Sequence, residues 1–260
     1  MPADFQQLKV ANDTVVTCTS PAEAHMLWGE ATAADGMYRH AATHLSPGDV
    51  ILDIGANIGL TAMMFARICP GVRVIAAEPA PRTFQCLERN MAAHVPDATA
   101  LQTAVGAQPG VASFTWYPRA TANSGLYADR TADDEATKTF LRNSGLDDTS
   151  IETITAGLHD GEQFDVRVDT VSAILDDHAS SSEIGLLKVD VERAEMDVLH
   201  GIADTDWPRI RAVVAEVHDI DGRLSRFCEL LSTHGLVPHE RQDAALRGTD
   251  LYEVYAARAR

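Results

Sequence analysis

The chain is short of positive charge. Its 21 lysines and arginines stand against 38 aspartates and glutamates, a net charge of −17 over 260 residues. That balance repels phosphate and argues against sequence-independent binding to nucleic acid or to an anionic membrane. Cysteine is scarce as well. Cys18, Cys69, Cys86 and Cys228 lie far apart with no C-x-x-C pair. They read as reduced packing residues of a cytosolic protein, not as a disulfide or zinc frame. No apolar run is long enough to span a bilayer. The N-terminus, Met1-Pro2-Ala3-Asp4-Phe5, lacks the basic-then-apolar pattern of an export signal,. Internal repeats, low-complexity tracts and interdomain linkers are also missing. What is present, 45% hydrophobic and 23% charged residues, is the composition of an ordinary soluble globule: one α/β domain with additions.

The stretch Val50-Ile51-Leu52-Asp53-Ile54-Gly55-Ala56-Asn57-Ile58-Gly59-Leu60 carries the first chemical signal. It reads as a buried strand, a tight glycine turn and the start of a helix, an arrangement that brings backbone N–H groups up to a ligand. A second strand closes on Ile75-Ala76-Ala77-Glu78. An acid at such a tip can take both hydroxyls of a ribose. The turn is not the dinucleotide fingerprint, because Asn57 and Leu60 stand where G-x-G-x-x-G needs glycine. Asp53 would repel a pyrophosphate but suits a ligand with a positive end, such as the ammonium of an amino acid. A nucleoside with an amino-acid tail is S-adenosylmethionine (SAM), so the residues point to a methyltransferase.

Along the chain, residues 5–19 read as a hairpin around Asn12-Asp13, and 21–45 as helix broken near Asp35-Gly36,. Strand and helix then alternate over 49–54, 58–69, 72–78 and 81–94, which implies a parallel sheet,. A third strand is expected over 98–105, and 111–117 as a hairpin extending the sheet edge. Residues 118–164, rich in Gly, Asn, Ser, Asp and Thr, read as a long loop-like insertion, of the kind that often forms lids,. Order returns at 166–170 with a helix to about 179; a fourth strand follows at 184–190, a helix over 194–201 and a fifth strand at 210–217, then a helix over 222–234 and a final antiparallel pair near 236–240 and 250–257. The expected fold is α/β: a mostly parallel seven-stranded sheet flanked by helices, with the long insertion after strand three. Residues 1–45 are expected to cap the ligand cleft, and 46–260 to form the domain beneath.

Four strand tips then carry Asp53, Glu78, Asp190 with Glu192, and Glu216 with His218. Ligands of open α/β sheets bind outside those ends. For the donor, Asp53 is assigned to the methionine ammonium, directly or through water. Gly55, Ala56, Asn57 and Gly59 form the backbone cradle, and Glu78 takes the ribose. Pro79, Thr103, Ala104 and Val105 border the adenine. Tyr38 either closes over the methionine carboxylate or packs its helix. His218 is the leading base, since a neutral imidazole titrates near neutral pH; the alternative is a histidine satisfied by a nearby carboxylate, such as Asp219. Asp190 is the second base candidate, or else holds the SAM amino group or the acceptor. Asn123, Ser124, Glu192 and Glu216 are assigned to the acceptor. Lys188 is expected to pair with an acid, because an unpaired lysine on a strand is costly. Asp190, Glu192, Glu216 and His218 could also hold a divalent ion, but nothing in the sequence fixes a ligand geometry and no metal is assigned. Arg119, Arg130, Lys138 and Arg142 could form a basic patch for an acidic carrier, or be scattered solvated charges.

The segments Asp53-Ile54-Gly55-Ala56-Asn57-Ile58-Gly59, Glu78-Pro79, and Lys188-Val189-Asp190-Val191-Glu192-Arg193-Ala194-Glu195 with Val198-Leu199-His200-Gly201 resemble the FkbM family of SAM-dependent methyltransferases. Asn123-Ser124-Gly125-Leu126-Tyr127, Val217-His218-Asp219-Ile220-Asp221-Gly222-Arg223 and Gly248-Thr249-Asp250-Leu251-Tyr252 are similar to the branch embedded in polyketide and nonribosomal-peptide assembly lines. One departure is Arg193, where many members have glycine. The resemblance implies a class I methyltransferase fold and, usually, methylation of a hydroxyl on a natural product or sugar. The acceptor is a small molecule, free or carrier-bound. Methylation at nitrogen or carbon, and a non-catalytic SAM-fold partner, stay open, as does a homo-oligomer. An oxidoreductase is the weaker alternative.

Overall fold

The computed structural model describes residues 5–259. Strands β1 (Gln6–Ala11) and β2 (Thr14–Cys18) form the N-terminal hairpin. Helix α1 (Pro21–Thr32) starts on a Ser20 cap that accepts from Glu23 N, with proline at the first turn,. Helix α2 (Met37–Ala42) follows the break at Gly36. Then come β3 (Val50–Ile54), α3 (Leu60–Ile68), β4 (Arg73–Ala77), α4 (Pro81–His94), β5 (Ala98–Leu101), β6 (Ala104–Val105) and β7 (Gly110–Trp116). Helices α5 (Arg130–Asn143) and α6 (Asp148–Thr155) precede β8 (Glu162–Asp169), α7 (Val171–Ala179), β9 (Ile184–Val189) and α8 (Glu195–His200). The chain ends with β10 (Ala212–His218), α9 (Arg223–Thr233), β11 (Leu236–Arg241) and β12 (Leu251–Arg258).

The main sheet has seven strands in the order β11-β12-β10-β9-β3-β4-β5. Its neighbours pair parallel except β12, which runs antiparallel to both β10 and β11. Every residue of β3 and β9 is buried, as expected of central parallel strands covered on both faces. Ile51 packs into the core on one face, and Val50, Leu52 and Ile54 into the core on the other. A buried side chain helps to fix the N-terminal hairpin to this body. Asn90 of α4 accepts from Thr17 N at 2.7 Å and donates to the carbonyls of Thr17 and Ile58 at 2.9 and 2.8 Å.

Three expectations need correction. The strand expected over 98–105 breaks after Leu101, and β6 leaves the main sheet to pair with β8. The 111–117 strand does not extend the main sheet: β7 pairs antiparallel with β8, making a separate three-stranded sheet. Residues 118–164 are not mainly loop, because they hold α5 and α6. Both helices start on aspartate caps: Asp129 accepts from Thr131 N and Ala132 N, and Asp147 from Ser150 N. The caps were a readable local signal. The polar sequence of α5 hid it, since only Ala136, Phe140 and Leu141 mark a weak apolar stripe.

Candidate active site

The turn after β3 tolerates no side chain at Gly55. Its φ is +73°, and a Cβ there would overlap the Asp190 carbonyl oxygen,. The N–H groups of Gly55 and Ala56 donate to the Ala77 carbonyl at 3.1 and 3.0 Å, tying the turn to the tip of β4. Asn57, with φ +49°, accepts from Ile58 N at 2.7 Å and donates to Thr121 Oγ1 at 3.1 Å. Gly59 lies behind the turn and starts α3, where a side chain would press on Leu87 of α4.

Glu78 stands at the tip of β4. Its Oε2 accepts from Asn57 N at 3.1 Å and its Oε1 from Ala80 N at 2.9 Å. Burial pushes this carboxyl up to about 7 in spite of those two bonds,.

Beneath the turn lies a buried cation. The Lys188 ammonium is 3.1 Å from Asp53 Oδ1 and 3.2 Å from Asp190 Oδ2, and it donates to the Gly55 carbonyl at 2.7 Å. Asp53 is fully buried. It shares a strand face with Ile51 and lies below the cleft floor, so the direct contact with a donor ammonium expected of it does not fit. Lys188 takes its charge instead. Tyr38 of α2 reaches in from above, its hydroxyl 2.9 Å from Glu216 Oε1 and 3.2 Å from Asp190 Oδ2. Burial, reinforced by Asp190, lifts both the Tyr38 hydroxyl and the Glu216 carboxyl well above their ordinary values.

His218, at the tip of β10, is held between two carboxylates. Nδ1 is 2.9 Å from Glu195 Oε1 and Nε2 is 3.4 Å from Glu192 Oε2. Burial works to lower the imidazole, but the Glu195 hydrogen bond and the two negative charges outweigh it and raise its pKa. Burial likewise works to raise Glu195, yet the His218 hydrogen bond and charge hold that carboxyl below its usual range. Glu192 goes the other way, pushed by burial up to about 8. The carboxylate that satisfies the histidine is therefore Glu195 and not Asp219, which caps Leu224 N.

One cleft of about 1050 Å3 gathers these groups. Tyr38, Gly55, Ala56, Asn57, Glu78, Pro79, Thr103, Ala104 and Val105 line it, as do Asn123, Ser124, Asp190, Glu192, Glu216 and His218; Asp53 and Gly59 do not. The sequence reading missed Glu195, Arg193, Glu30 and the cleft face of α5. Glu195 was in plain sight beside Glu192, but its contact with His218 depends on β9 and β10 lying side by side. The basic patch does not form. Arg119 donates to the Ala156 carbonyl, while Arg130, Lys138 and Arg142 pair with Asp160, Glu135 and Asp148. Among the described residues, no group of three or more His, Cys, Asp or Glu side chains is placed to hold a metal ion, and no helix is long and apolar enough to cross a membrane.

The strand order with its single antiparallel strand, the glycine turn and the acid at the next strand tip define a class I SAM-dependent methyltransferase. The residues present fit such a donor: a glycine turn at the cleft rim, a buried carboxylate, Glu78, at the next strand tip, and acids along the lining. The Methyltransferase FkbM domain matches residues 53–237, and the chain belongs to that family. The 31-O-demethyl-FK506 methyltransferase FkbM of Streptomyces tacrolimicus is 40% identical over 97% of both chains. The AMB antimetabolite synthetase AmbE of Pseudomonas aeruginosa is 34% identical over 86% of this chain and 11% of that protein. Methyltransferase 1 of Beauveria bassiana is 35% identical over 80% of each. Among solved structures, the O-methyltransferase TomG of Streptomyces achromogenes in complex with SAM aligns over 85% of this chain and 78% of that one, with 12% identity and a TM-score of 0.47.

Proposed function

We propose that this methyltransferase acts on a hydroxyl group of a secondary-metabolite acceptor of polyketide or peptide type, or of a sugar, with His218 as general base. The observation that carries the reading is the Glu195–His218 pair. An ionised Glu195 accepts a proton bond from Nδ1, which fixes the tautomer and leaves Nε2 as the basic nitrogen on the cleft side. An alcohol gains most from such a base, because its proton becomes acidic only as the new bond forms. A neutral amine is already nucleophilic and needs none. The relatives' names support the reading, one being a 31-O-demethyl-FK506 methyltransferase and another a synthetase that contains a matching segment.

SAM, when bound, supplies a methyl already activated on a sulfonium. The protein's task is to hold that methyl in line with the nucleophile and to exclude water. Glu78 would take the ribose hydroxyls. The 55–57 backbone would lie against the donor, and Pro79 with Thr103, Ala104 and Val105 would border the adenine. Asp190 and Glu216, joined through Tyr38, would receive the ammonium in place of Asp53. Residues 5–45 would close the cleft from above, residues 1–4 lying outside the described residues: Glu23 accepts from Ala122 N at 2.9 Å, joining α1 to the segment before Asn123 and Ser124 on the acceptor side.

The test is incubation with methyl-labelled SAM and matched alcohol and amine acceptors. A methyl ether is the expected product. An N-methyl product, or tight donor binding without any turnover, would overturn the assignment in favour of another acceptor atom or a non-catalytic partner. Donor binding itself is expected to depend on Glu78. Its carboxyl must be ionised to accept two hydroxyls, and it is protonated below about pH 7. Donor affinity should therefore fall as pH drops from 8 to 6. Glu78→Gln should weaken binding by roughly 10–100-fold, the value of a hydrogen bond to a charged group, and should flatten the pH dependence. Calorimetry with SAM reads both.

A further inference from the structure

Helix α5 turns one face to the cleft. Asp133, Ala136, Thr137, Phe140 and Leu141 all line it, and that spacing places them on one side of the helix. The face changes character along its length. At the inner end Asp133 is buried. Its Oδ1 takes Arg193 Nη2 at 2.6 Å and its Oδ2 accepts from the Tyr117 hydroxyl at 2.9 Å. Arg193 follows Glu192 in the chain, so this ion pair pins the helix beside His218. At the outer end Asn143 donates to the carbonyls of Ala245 and Arg247 at 2.9 and 2.8 Å. The helix is thus fixed at both ends.

Between those anchors the face is apolar and open. Phe140 and Leu141 are only half-buried. Across from them stand Ile154, 40% exposed, and the half-buried Leu158 and Leu246, all lining the same cleft. An amphipathic helix normally turns its apolar stripe into a core; this stripe ends at the cavity instead. Apart from Asp133 at its inner end, α5 brings no charged side chain to the cleft; the others, Glu30, Asp190, Glu192 and Glu216 among them, come from different elements. The cavity, about 1050 Å3, exceeds the roughly 300–1,000 Å3 of ordinary single-ligand pockets, so it has room for a bulky second molecule beside the donor.

We infer that α5, with Ile154, Leu158 and Leu246, is the wall that selects the acceptor. The acceptor is a large, mainly aliphatic alcohol whose hydroxyl meets His218 and whose apolar body lies along Phe140 and Leu141. A sugar is disfavoured, because Thr137 alone between the two anchors of this wall can bond a hydroxyl, and the rest of a sugar's hydroxyls would lose water against Phe140, Leu141, Ile154, Leu158 and Leu246. This deepens, and rests on, the methyltransferase reading of the same cleft.

The experiment uses the full chain loaded with SAM or with its demethylated product. A long-chain secondary alcohol and a methyl glycoside serve as probes, each followed by calorimetry and by methyl transfer. The long-chain alcohol should bind and the glycoside should not. Leu141→Asp and Ile154→Asp, at positions exposed enough to keep the fold, should each weaken alcohol binding roughly tenfold or more and leave donor affinity within about twofold. A thermal melt of each variant confirms the fold. Equal or better binding of the glycoside, unchanged alcohol binding in both variants, or no binding of either probe to the donor-loaded chain would overturn the wall. Alcohol binding that both variants abolish, without methyl transfer, would keep the wall and sink the base assignment.

Discussion

His218→Asn should lower the methyl-transfer rate by about 10²–10⁴-fold, the usual contribution of a positioned general base. Donor affinity should stay unchanged. Asparagine is smaller but keeps a hydrogen-bond donor near the Nδ1 position toward Glu195, so with unchanged donor affinity the loss would report the proton acceptor rather than a collapsed cleft. The pH profile gives an independent reading. Only neutral imidazole can accept a proton, and its two carboxylate neighbours raise its pKa above 6.5. The rate should climb about tenfold per pH unit on the acid side, bend at a pH above 6.5, and then level off. The variant should lose that bend. A variant within about threefold of the parent, with the bend intact, would transfer the base role to Asp190.

The second large effect concerns stability. Lys188 and Asp53 are direct partners in the register of β9 and β3, 2% and 0% exposed. Apart from that ion pair, neither Asp53 oxygen has a hydrogen-bond partner among the described residues. Lys188→Met fills the space but leaves a buried carboxylate without a counter-charge, a defect of about 3–5 kcal/mol. Burial already works to raise the Asp53 pKa, and Lys188 is the largest influence holding it down, so the variant should also take up a proton there. Adding Asp53→Asn should recover much of the loss, because the fully buried charge is then gone and only the partly exposed Asp190 lacks its counter-charge. Denaturant melts of the parent, single and double variants test this. A single variant within about 1 kcal/mol of the parent would mean that the pair contributes little.

The glycine turn, the acid at the tip of β4 and the parallel core were legible in the sequence because each rests on local pattern. Near-continuous apolar runs mark β3 and β9, and a turn with glycines at 55 and 59 marks the ligand edge. Asp53 shows where such reading stops. A strand buried on both faces carries no alternation, so nothing local tells which layer a given side chain enters. Only the β3–β9 register reveals that Asp53 meets Lys188 below the floor. The small β6-β8-β7 sheet was hidden for a related reason, since β6 and β8 are distant in sequence and their pairing is a tertiary choice. The acceptor wall was hidden by composition: α5 spends most of its positions on charge and threonine.

Lys188 Nζ and the Gly55 carbonyl, joined in the cradle, are 133 residues apart in the chain. The turn also packs closely against the Asp190 backbone, just past the end of β9. A donor-ready rim therefore cannot exist on the first half of the polypeptide alone. It appears late in folding, after the long-range pairing of β3 with β9, which is the slow kind of step. An unfinished chain offers the donor nothing to hold. A saturating donor should accordingly raise the melting temperature of the entire domain as a single cooperative unit, with no early-folding fragment protected first.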